Sequence, residues 1–424
     1  MIGKDIHDFA KELWPINRSL TGRGNRETLD LIKARLPNLQ VKEFKSGEKV
    51  FDWQIPQEWN CESAYIVTPS GERICDYSKN NLHLLGYSTP VKKKIELKEL
   101  KNFLYSIPRM PNAIPYATSY YHERWGFCIS EKEKSNLEDG VYEVNIDSSL
   151  TNGVLNYGEL IIKGKSSKEV FLSTYICHPS MANNELSGIV VTTFLAEWIS
   201  KLKNKYTYRI IFIPETIGSI AYISRNLKKM QESIIAGFNV SCVGDDRAYS
   251  YLPSRDGNTL SDKVAKHVLK HIDRNFKVYS WLDRGSDERQ YCSPGVDLPI
   301  ASIMRTKYAE YDEYHTSLDD LENVVTPYGL EGGFNALKNA IDLIENNDSY
   351  ISLNLCEPNL GRRNLYPTLS IDQDWSKVKL LKNVLSYCDG NNDLLSISEI
   401  LNESFSTVLD VIRILLENDL IKKI

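Results

Sequence analysis

The chain of 424 residues is too long for one ordinary hydrophobic core, so we expect two or three domains. Apolar residues make up 42% and charged residues 25%, as in globular proteins, and the net charge of -5 excludes a bulk attraction to nucleic acid or anionic membranes. The sequence shows no secretory signal, no apolar run that could span a bilayer and no CxxC pair among its eight cysteines. These features predict reduced thiols and a cytoplasmic protein without a membrane partner.

The part of the chain before the carboxy-terminal segment divides into three regions that differ in residue composition and pattern. Apolar spacing over residues 4–36 predicts a helix, a turn and a second helix. Residues 43–130 are rich in aromatics, prolines and short β-branched runs, which is typical of a mainly β module. From about 140 onward, strands alternate with helices; 141–146 and 155–162 look like a hairpin, and 169–176, 208–213, 236–240 and 298–304 like buried strands. Buried strands between helices predict a mostly parallel sheet with ligands beyond its carboxyl ends.

The segment after residue 352 predicts a separate winged helix. A linker-like stretch at 358–367 precedes three short helices, and residues 418–424 suggest a turn into a wing strand. Between Trp375 and Ile424 there are six Lys or Arg and seven Asp or Glu, and the third helix carries Asp410, Arg413 and Glu417. A nucleic-acid-binding face needs a surplus of cations, so this balance argues against nucleic acid and favours a packing or protein-contact role.

Three polar segments follow predicted strands at the end of the sheet where ligands bind. His178 comes directly after one buried strand, Glu215 directly after the next, and His315 lies in a loop beyond the strand around Ile300. Imidazoles can hold Zn²⁺ while a carboxylate takes a proton from water, so these parts suit a metal-assisted hydrolase. Each alone is weak evidence, because a lone strand-end histidine is more often structural.

A second histidine pair, His267 and His271, stands four residues apart in a predicted helix. That spacing can chelate a metal, but the glutamate of an HExxH motif is missing between them. We expect this pair to lie on a solvated helix face.

The order of the polar motifs resembles that of zinc aminopeptidases with co-catalytic metals. It runs from His178 through Asn-Xaa-Xaa-Ser-Gly at a helix start and Glu-Xaa-Xaa-Gly-Ser to Tyr-His-Thr-Xaa-Xaa-Asp. More closely, the whole chain resembles bacterial aminopeptidase-like proteins often linked with polysaccharide-biosynthesis loci. The segments that carry this resemblance are Leu13-Trp-Pro-Ile-Asn-Arg-Ser-Leu-Thr-Gly, Cys177-His-Pro-Ser and Ser286-Asp-Glu-Arg-Gln-Tyr-Cys-Ser-Pro-Gly.

The resemblance implies an α/β zinc-exopeptidase fold of the phosphorylase/hydrolase-like kind. Its three-layer core, with a mostly parallel mixed sheet, would take residues 1–42 and 131–352. An inserted mainly-β domain would take 43–130 and a winged-helix domain 353–424. The β domain could roof the cleft and limit substrate size, or it could serve dimerisation, which leaves a homo-oligomer open.

Carried over residue by residue, the resemblance implies part of a metal site. His178 matches the first zinc-binding histidine, His315 the last, and Glu215 the general base. The family's carboxylate ligands are missing, however: Asn184 replaces the bridging Asp and Thr216 a metal-binding Glu. Ser241 replaces a further metal-binding Asp, and Ser180 an Asp two residues after the first histidine.

These departures argue against two zinc ions, because neutral side chains cannot offset about four positive charges. A single zinc held by His178, His315 and one carboxylate stays open, with Glu185 as the nearest carboxylate. Four further residues are assigned to substrate binding: Asn184, Asp287, Glu288 and Arg289. Asp287 and Glu288 are also further carboxylate candidates for the metal. Arg289 could bind a substrate carboxylate or form a salt bridge within its loop.

The leading hypothesis is a zinc-dependent, aminopeptidase-like hydrolase acting on the amide bond of a peptide or an acylamino compound. The alternative is a catalytically inactive descendant whose pocket binds a small ligand or whose outer domains bind protein partners, since a fold does not guarantee an activity. A regulator that binds DNA through the winged helix is the weakest hypothesis, because of the charge count.

Overall fold

A computed structural model describes residues 2–366 and 375–424 of the chain. It divides into two compact units, Met1–Asp262 with Phe276–Asn335, and Lys263–Asn275 with Ala336–Ile424. The strands are β1 (Gln40–Lys45), β2 (Lys49–Val50), β3 (Trp53–Gln54), β4 (Glu58–Val67), β5 (Arg73–Ile74), β6 (Val91–Glu96), β7 (Leu104–Tyr105), β8 (Phe127–Cys128), β9 (Val141–Thr151), β10 (Val154–Ile162), β11 (Glu169–Tyr175), β12 (Thr207–Ile213), β13 (Ile234–Asn239), β14 (Ser250–Leu252), β15 (Lys277–Val278), β16 (Ile300–Met304), β17 (Ser349–Ser352), β18 (Asp389–Asp393) and β19 (Ile421–Lys423). The helices are α1 (Ile2–Leu13), α2 (Arg23–Arg35), α3 (Leu97–Leu100), α4 (Glu131–Ser135), α5 (Ser187–Ile199), α6 (Ile217–Ser233), α7 (Leu260–Ile272), α8 (Glu288–Tyr291), α9 (Pro327–Asn346), α10 (Ser376–Ser386), α11 (Leu394–Leu401) and α12 (Phe405–Glu417).

An eight-stranded mixed sheet forms the centre of the larger unit, in the order β1-β10-β12-β11-β13-β16-β14-β15. Its middle strands β12, β11, β13 and β16 are parallel to one another, while β10 and β14 pair antiparallel on either side of them. Strands β11 and β12 are buried along their whole length, as the continuous apolar runs predict. The predicted α/β core with a mostly parallel mixed sheet is confirmed.

Helix α5 follows β11 through one π-helical turn, Ala182–Leu186. All its residues except Glu197 and Trp198 are buried, so it is a core helix. At its start, Gly188 approaches another part of the backbone closely: a Cβ there would lie 2.4 Å from the carbonyl oxygen of Val240. The Ser-Gly pair at the start of this helix therefore has a packing reason.

A second, four-stranded antiparallel sheet has the order β5-β4-β9-β6. Strand β9 pairs with β4 and β6, whereas β10, which follows it after two residues, pairs with β1 and β12. The hairpin predicted from these two segments is therefore wrong. The local signal was sound, but each strand finds its hydrogen-bonding partners elsewhere in the chain. Because of this pairing, the inserted module's sheet includes residues beyond position 130.

The smaller unit contains the winged helix predicted after residue 352. Strand β17 pairs antiparallel with both β18 and β19, and helices α10, α11 and α12 pack on one another. Residues 367–374, which include the end of the predicted linker, lie outside the described residues. Within the ranges that the structure does describe, no helix combines the length and apolarity needed to cross a bilayer.

Candidate active site

The sheet brings the first two predicted polar segments side by side. Strands β11 and β12 run parallel with Tyr175 opposite Ile213, so the residues that follow them emerge at the same edge. There the backbone N–H of Glu215 donates to the Cys177 sulfur at 3.2 Å. The loop between β16 and α9 adds His315, and a cavity of about 480 Å³ opens between these segments. The predicted convergence of His178, Glu215 and His315 on one cavity is what the structure shows.

The two imidazoles of this cavity lie close together, with ring centroids 5.5 Å apart. His178 Nδ1 lies 3.5 Å from the Cys177 sulfur, and His315 Nε2 lies 3.3 Å from Asn184 Nδ2. The other nitrogen of each ring, Nε2 of His178 and Nδ1 of His315, has no hydrogen-bond partner among the described residues. Both rings can therefore offer a nitrogen to a ligand.

Burial keeps both imidazoles uncharged. It lowers the pKa of His178 well below its usual value, and the neighbouring His315 and the Arg18 guanidinium lower it further. Burial alone lowers the pKa of His315 to about 4. Neutral imidazole is the form that binds metal ions, so the electrostatics favour the metal-binding state at neutral pH.

The backbone is strained at two positions of the cavity wall. His315 has φ of 57° and Thr216 has φ of 62°, a left-handed conformation that non-glycine residues seldom adopt. Such residues persist only where surrounding contacts hold them, and they cluster at functional sites. At His315 the holding contact is its carbonyl, which accepts the N–H of Tyr116 at 2.9 Å.

Glu185, the predicted carboxylate ligand, has other partners. Its Oε2 accepts from Nε of Arg18 at 2.7 Å and its Oε1 accepts the backbone N–H of His178 at 2.6 Å, with both charged side chains fully buried. Burial raises the pKa of Glu185 to about 7, opposed by Arg18. Both oxygens are therefore engaged in holding the loop of His178 in place. No local pattern indicates this pairing, because 167 residues separate the partners.

Asn184 is buried and braces His315 instead of lining the cavity. Its carbonyl oxygen and its side-chain oxygen both accept from the Tyr175 hydroxyl, at 2.5 and 2.9 Å. The backbone N–H groups of Asn183 and Asn184 donate to the buried Asp319 carboxylate at 2.7 and 3.1 Å. Asp319, the last residue of the Tyr-His-Thr-Xaa-Xaa-Asp motif, thus holds the turn before α5 in place.

Glu215 lies at the wall of the cavity, half-buried. Burial, and after it the neighbouring Asp287 carboxylate, raises the pKa of Glu215 to about 8. A carboxyl group with a pKa near neutrality suits proton transfer. The role of Glu215 as a general base stays a prediction.

The loop from Ser286 to Arg289 sends only its arginine to the cavity. Asp287 accepts from the Thr216 N–H and the Ser219 hydroxyl, both at 2.8 Å, and Glu288 accepts from Gly285, Ser286 and Tyr308. Arg289 lines the cavity and donates to the Thr216 hydroxyl at 2.5 Å. Its Nε is buried without an acceptor, and no carboxylate of the described residues forms an ion pair with it. Arg289 thus forms no direct ion pair with the described residues, although its charge opposes the rise that burial causes in the pKa of the nearby Glu215 and Asp287.

Sequence reasoning missed the aromatic side of the cavity, which the inserted module supplies. Tyr116, Tyr120, Tyr121 and Trp53 line it. Segment 114–117 runs beside the His315 loop, with Pro115 bridged to Thr316 and the Ser317 N–H donating to the Ile114 carbonyl. The module therefore supplies one wall of the cavity, and its effect on substrate size stays a prediction. The aromatic residues of the module were visible in the sequence, but nothing there indicated that they lie beside the cavity.

The donor groups do not fit two zinc ions, because Asn184, Thr216 and Ser241 supply no charge. The residues Cys177, His178 and Glu185 place ligand atoms within 4.8 Å of one another, the one such set found in the described residues. Burial raises the pKa of the Cys177 thiol well above its usual value, and Glu185 is engaged by Arg18, so this set is poorly suited to a cation.

His178 and His315 fit a single ion better. Two imidazoles whose nitrogens lie about 2.0 Å from one tetrahedral zinc have ring centroids about 5 Å apart. The observed 5.5 Å is close to that separation. Both rings are uncharged, and the open cavity leaves room for further ligands.

Comparisons with known proteins agree with this architecture. A family described as a domain of unknown function, DUF4910, matches residues 7–347, and a winged helix-turn-helix family matches residues 348–423. A protein of Clostridium acetobutylicum with the provisional name of a polysaccharide biosynthesis protein with an aminopeptidase-like domain is 44% identical over 398 residues. The match covers 93% of this chain and 91% of the relative.

Solved structures show the same similarity. A crystal structure provisionally named a peptidase, also from Clostridium acetobutylicum, matches with a TM-score of 0.94 and 42% identity over 100% of this chain and 97% of that chain. A zinc aminopeptidase from Bacillus subtilis matches with a TM-score of 0.59 and 13% identity, over 81% of this chain and 94% of that chain. At that identity the second likeness shows the fold alone, which is an aminopeptidase fold.

Proposed function

This chain belongs to the DUF4910 family, and we propose that it is a hydrolase of an amide bond that uses one zinc ion held by His178 and His315. The observation that carries the proposal is the set of groups meeting in one cavity: two uncharged imidazoles, each with a nitrogen that no described residue engages, and a carboxyl group of raised pKa. Glu185 is left out of the ligand set because Arg18 holds it. Substrate or water would complete the zinc coordination.

Each residue of the cavity has a distinct part in this proposal. Zinc would supply a Lewis acid for the amide carbonyl and for the attacking water. Glu215 takes the proton that water loses as its oxygen bonds to the carbonyl carbon. It then gives that proton to the amide nitrogen as the carbon–nitrogen bond breaks, which yields a carboxylate and an amine. The Asn184 amide can present its oxygen or its nitrogen to Nε2 of His315, and so can orient that ring with or without a metal.

The charged groups of the cavity limit the classes of substrate that can bind. Arg289 is its fixed cation, and Glu215 is largely protonated near neutral pH when no metal is bound. Arg289 therefore suits an acylamino compound or a peptide that carries a carboxylate, bound by the part of the guanidinium that lines the cavity. An acylamino sugar acid is one such substrate, which agrees with the name of the relative from Clostridium acetobutylicum. A cytoplasmic location fits the same proposal.

The test is zinc binding, measured apart from activity. Protein purified without chelator or histidine tag should contain about one zinc per chain by elemental analysis. The double variant His178→Ala, His315→Ala should contain none, and its affinity for zinc by calorimetry should fall by about 10³-fold or more, because both imidazole ligands are lost. The matched control is His267→Ala, His271→Ala, which removes a histidine pair elsewhere and should keep the zinc. A wild type that takes up no zinc even when soaked contradicts the proposal.

A second candidate function is a metal-free pocket that binds a small anionic ligand. It is favoured by the neutral residues Asn184, Thr216 and Ser241, which stand where the resemblance implies carboxylate ligands. In that case the wild type binds no zinc, and Arg289 is the main binding group. The zinc measurement separates the two functions.

A further inference from the structure

The inserted module places two phenol groups in the wall of the cavity. The hydroxyl oxygens of Tyr116 and Tyr120 lie 2.6 Å apart, a short hydrogen bond in which either can donate. The Tyr116 ring packs on both proposed zinc ligands, with centroids 5.2 Å from His178 and 5.1 Å from His315. The Tyr116 ring therefore lies beside both proposed zinc ligands, and both tyrosines line the same cavity.

Counting protons shows that this pair has a donor to spare. Two phenols carry two hydroxyl protons, and the bond between them uses one. Neither hydroxyl makes a further hydrogen bond to any of the described residues. The phenol that accepts thus keeps an O–H that no described protein group takes up, and it lines the cavity. Because that phenol also accepts a hydrogen bond, its own O–H is polarised into a stronger donor.

Both groups stay protonated under ordinary conditions. Burial raises the pKa of Tyr116 and that of Tyr120 well above the usual value. A phenol is already protonated at neutral pH, so the hydroxyl groups are available as hydrogen-bond donors.

We propose that the Tyr116–Tyr120 pair donates a hydrogen bond to the oxyanion that forms when water adds to the substrate amide. This inference rests on the proposed function. As the water oxygen bonds to carbon, the carbonyl π electrons move to oxygen, and the spare phenol O–H stabilises that charge without giving up its proton. A second metal would share this task in a two-zinc site, whereas here Asn184, Thr216 and Ser241 supply no charge. The phenols thus provide part of the oxyanion stabilisation that a second metal ion would provide.

The test compares Tyr116→Phe, Tyr120→Phe and the double variant in zinc-loaded protein. The probes are aminoacyl p-nitroanilides, N-acetyl amino acids and N-acetylated hexosamine acids, and kcat and KM are measured on those that the wild type hydrolyses. The double variant should lose about 10²-fold in kcat with little change in KM, because the donor acts in the transition state. Each single variant should lose less than about tenfold, because the remaining phenol has its own O–H free to donate. Zinc content should not change.

The matched control is Tyr87→Phe. Tyr87 is a buried tyrosine packed edge-on against Tyr120 at 5.2 Å, and its hydroxyl bonds to Thr21 outside this cavity. It should keep kcat, so a loss there equal to that of the double variant would mean that packing is measured and would overturn the inference. A double variant with wild-type kcat overturns the inference and leaves the proposed function standing. A zinc-loaded wild type that hydrolyses none of the probes overturns both.

Discussion

The molecule contains two histidine pairs of similar spacing and different surroundings. In the larger unit, His178 and His315 have ring centroids 5.5 Å apart, and in the smaller unit His267 and His271 are 4.7 Å apart. The first pair comes from loops after separate strands, and one nitrogen of each ring has no partner in the part of the chain that the structure describes. The second pair lies on one helix, α7, and its buried member has both nitrogens engaged.

The partners of His267 show what the second pair does. Its Nδ1 contacts the Glu399 carboxylate of α11, and its Nε2 accepts the N–H of Phe405, the first residue of α12, at 3.0 Å. His267 is 2% exposed, so the expected solvated face is wrong for this residue, although His271 is exposed. Proximity of two imidazoles is therefore not enough for a metal site. What separates the pairs is whether the nitrogens are already used.

The largest effect that would sharpen the comparison concerns the carboxyl group in the cavity of the first pair. Glu215→Gln keeps the shape of the side chain but removes its ability to take a proton, so kcat should fall by about 10²-fold or more with zinc content unchanged. The measurement is steady-state hydrolysis alongside elemental analysis. Glu399→Gln changes the carboxylate beside the second pair and should leave kcat unaltered. Equal losses in both variants would erase the difference between the two regions.

A smaller effect is expected on stability when the buried histidine of the second pair is removed. His267→Ala leaves the Phe405 N–H without its acceptor and opens space around it, which should lower the free energy of unfolding by about 2 kcal/mol. Exchange of the Phe405 amide hydrogen should speed up correspondingly. His271→Ala, on the exposed side of α7, should change the stability by less than about 0.5 kcal/mol. If His271→Ala is as costly, the assignment of His267 as the structural member is wrong.

The smallest effect is the pH dependence of the same contact. Burial lowers the pKa of His267, and the nearby His271 and Lys270 lower it further. The Glu399 carboxylate opposes this shift. The unfolded chain therefore binds this proton more readily than the folded one, and stability falls as pH drops below the ordinary histidine value of about 6.5. Protonation also places an N–H on Nε2, against the Phe405 N–H. The slope of unfolding free energy between about pH 5 and 7 should be shallower in His267→Ala than in the wild type. An unchanged slope would assign the acid sensitivity to other groups.

Much of the fold and the centre of the cavity could be predicted because they depend on local patterns and one geometric rule. Buried apolar runs identify β11 and β12, and parallel neighbours release their following residues at one edge, so His178 and Glu215 had to meet. The motif order added His315. Periodicity also placed the helices before and after the sheet.

The rest depended on pairings that no local pattern encodes. The residues Arg18 and Glu185 are 167 positions apart, and Tyr116 meets His315 across almost 200 residues. The wrongly predicted hairpin of β9 and β10 has the same origin. The Asn-Gly between the two strands is a good turn signal. In the structure, however, β9 pairs with β4 and β10 pairs with β1, both of which lie far away in sequence. His267 looked solvated because its partners lie more than a hundred residues away.

Through the ion pair between Arg18 and Glu185, the amino-terminal segment helps to hold the cavity in shape. Arg18 lies between α1 and α2, and its guanidinium also donates to the Leu13 carbonyl at 2.7 Å. A truncation that starts the protein after residue 22 would leave Glu185 as a lone buried anion, at a cost of about 3–5 kcal/mol, although it removes only one residue that lines the cavity. Expression designs that trim or fuse the amino-terminal helices would thus disable the site from a distance.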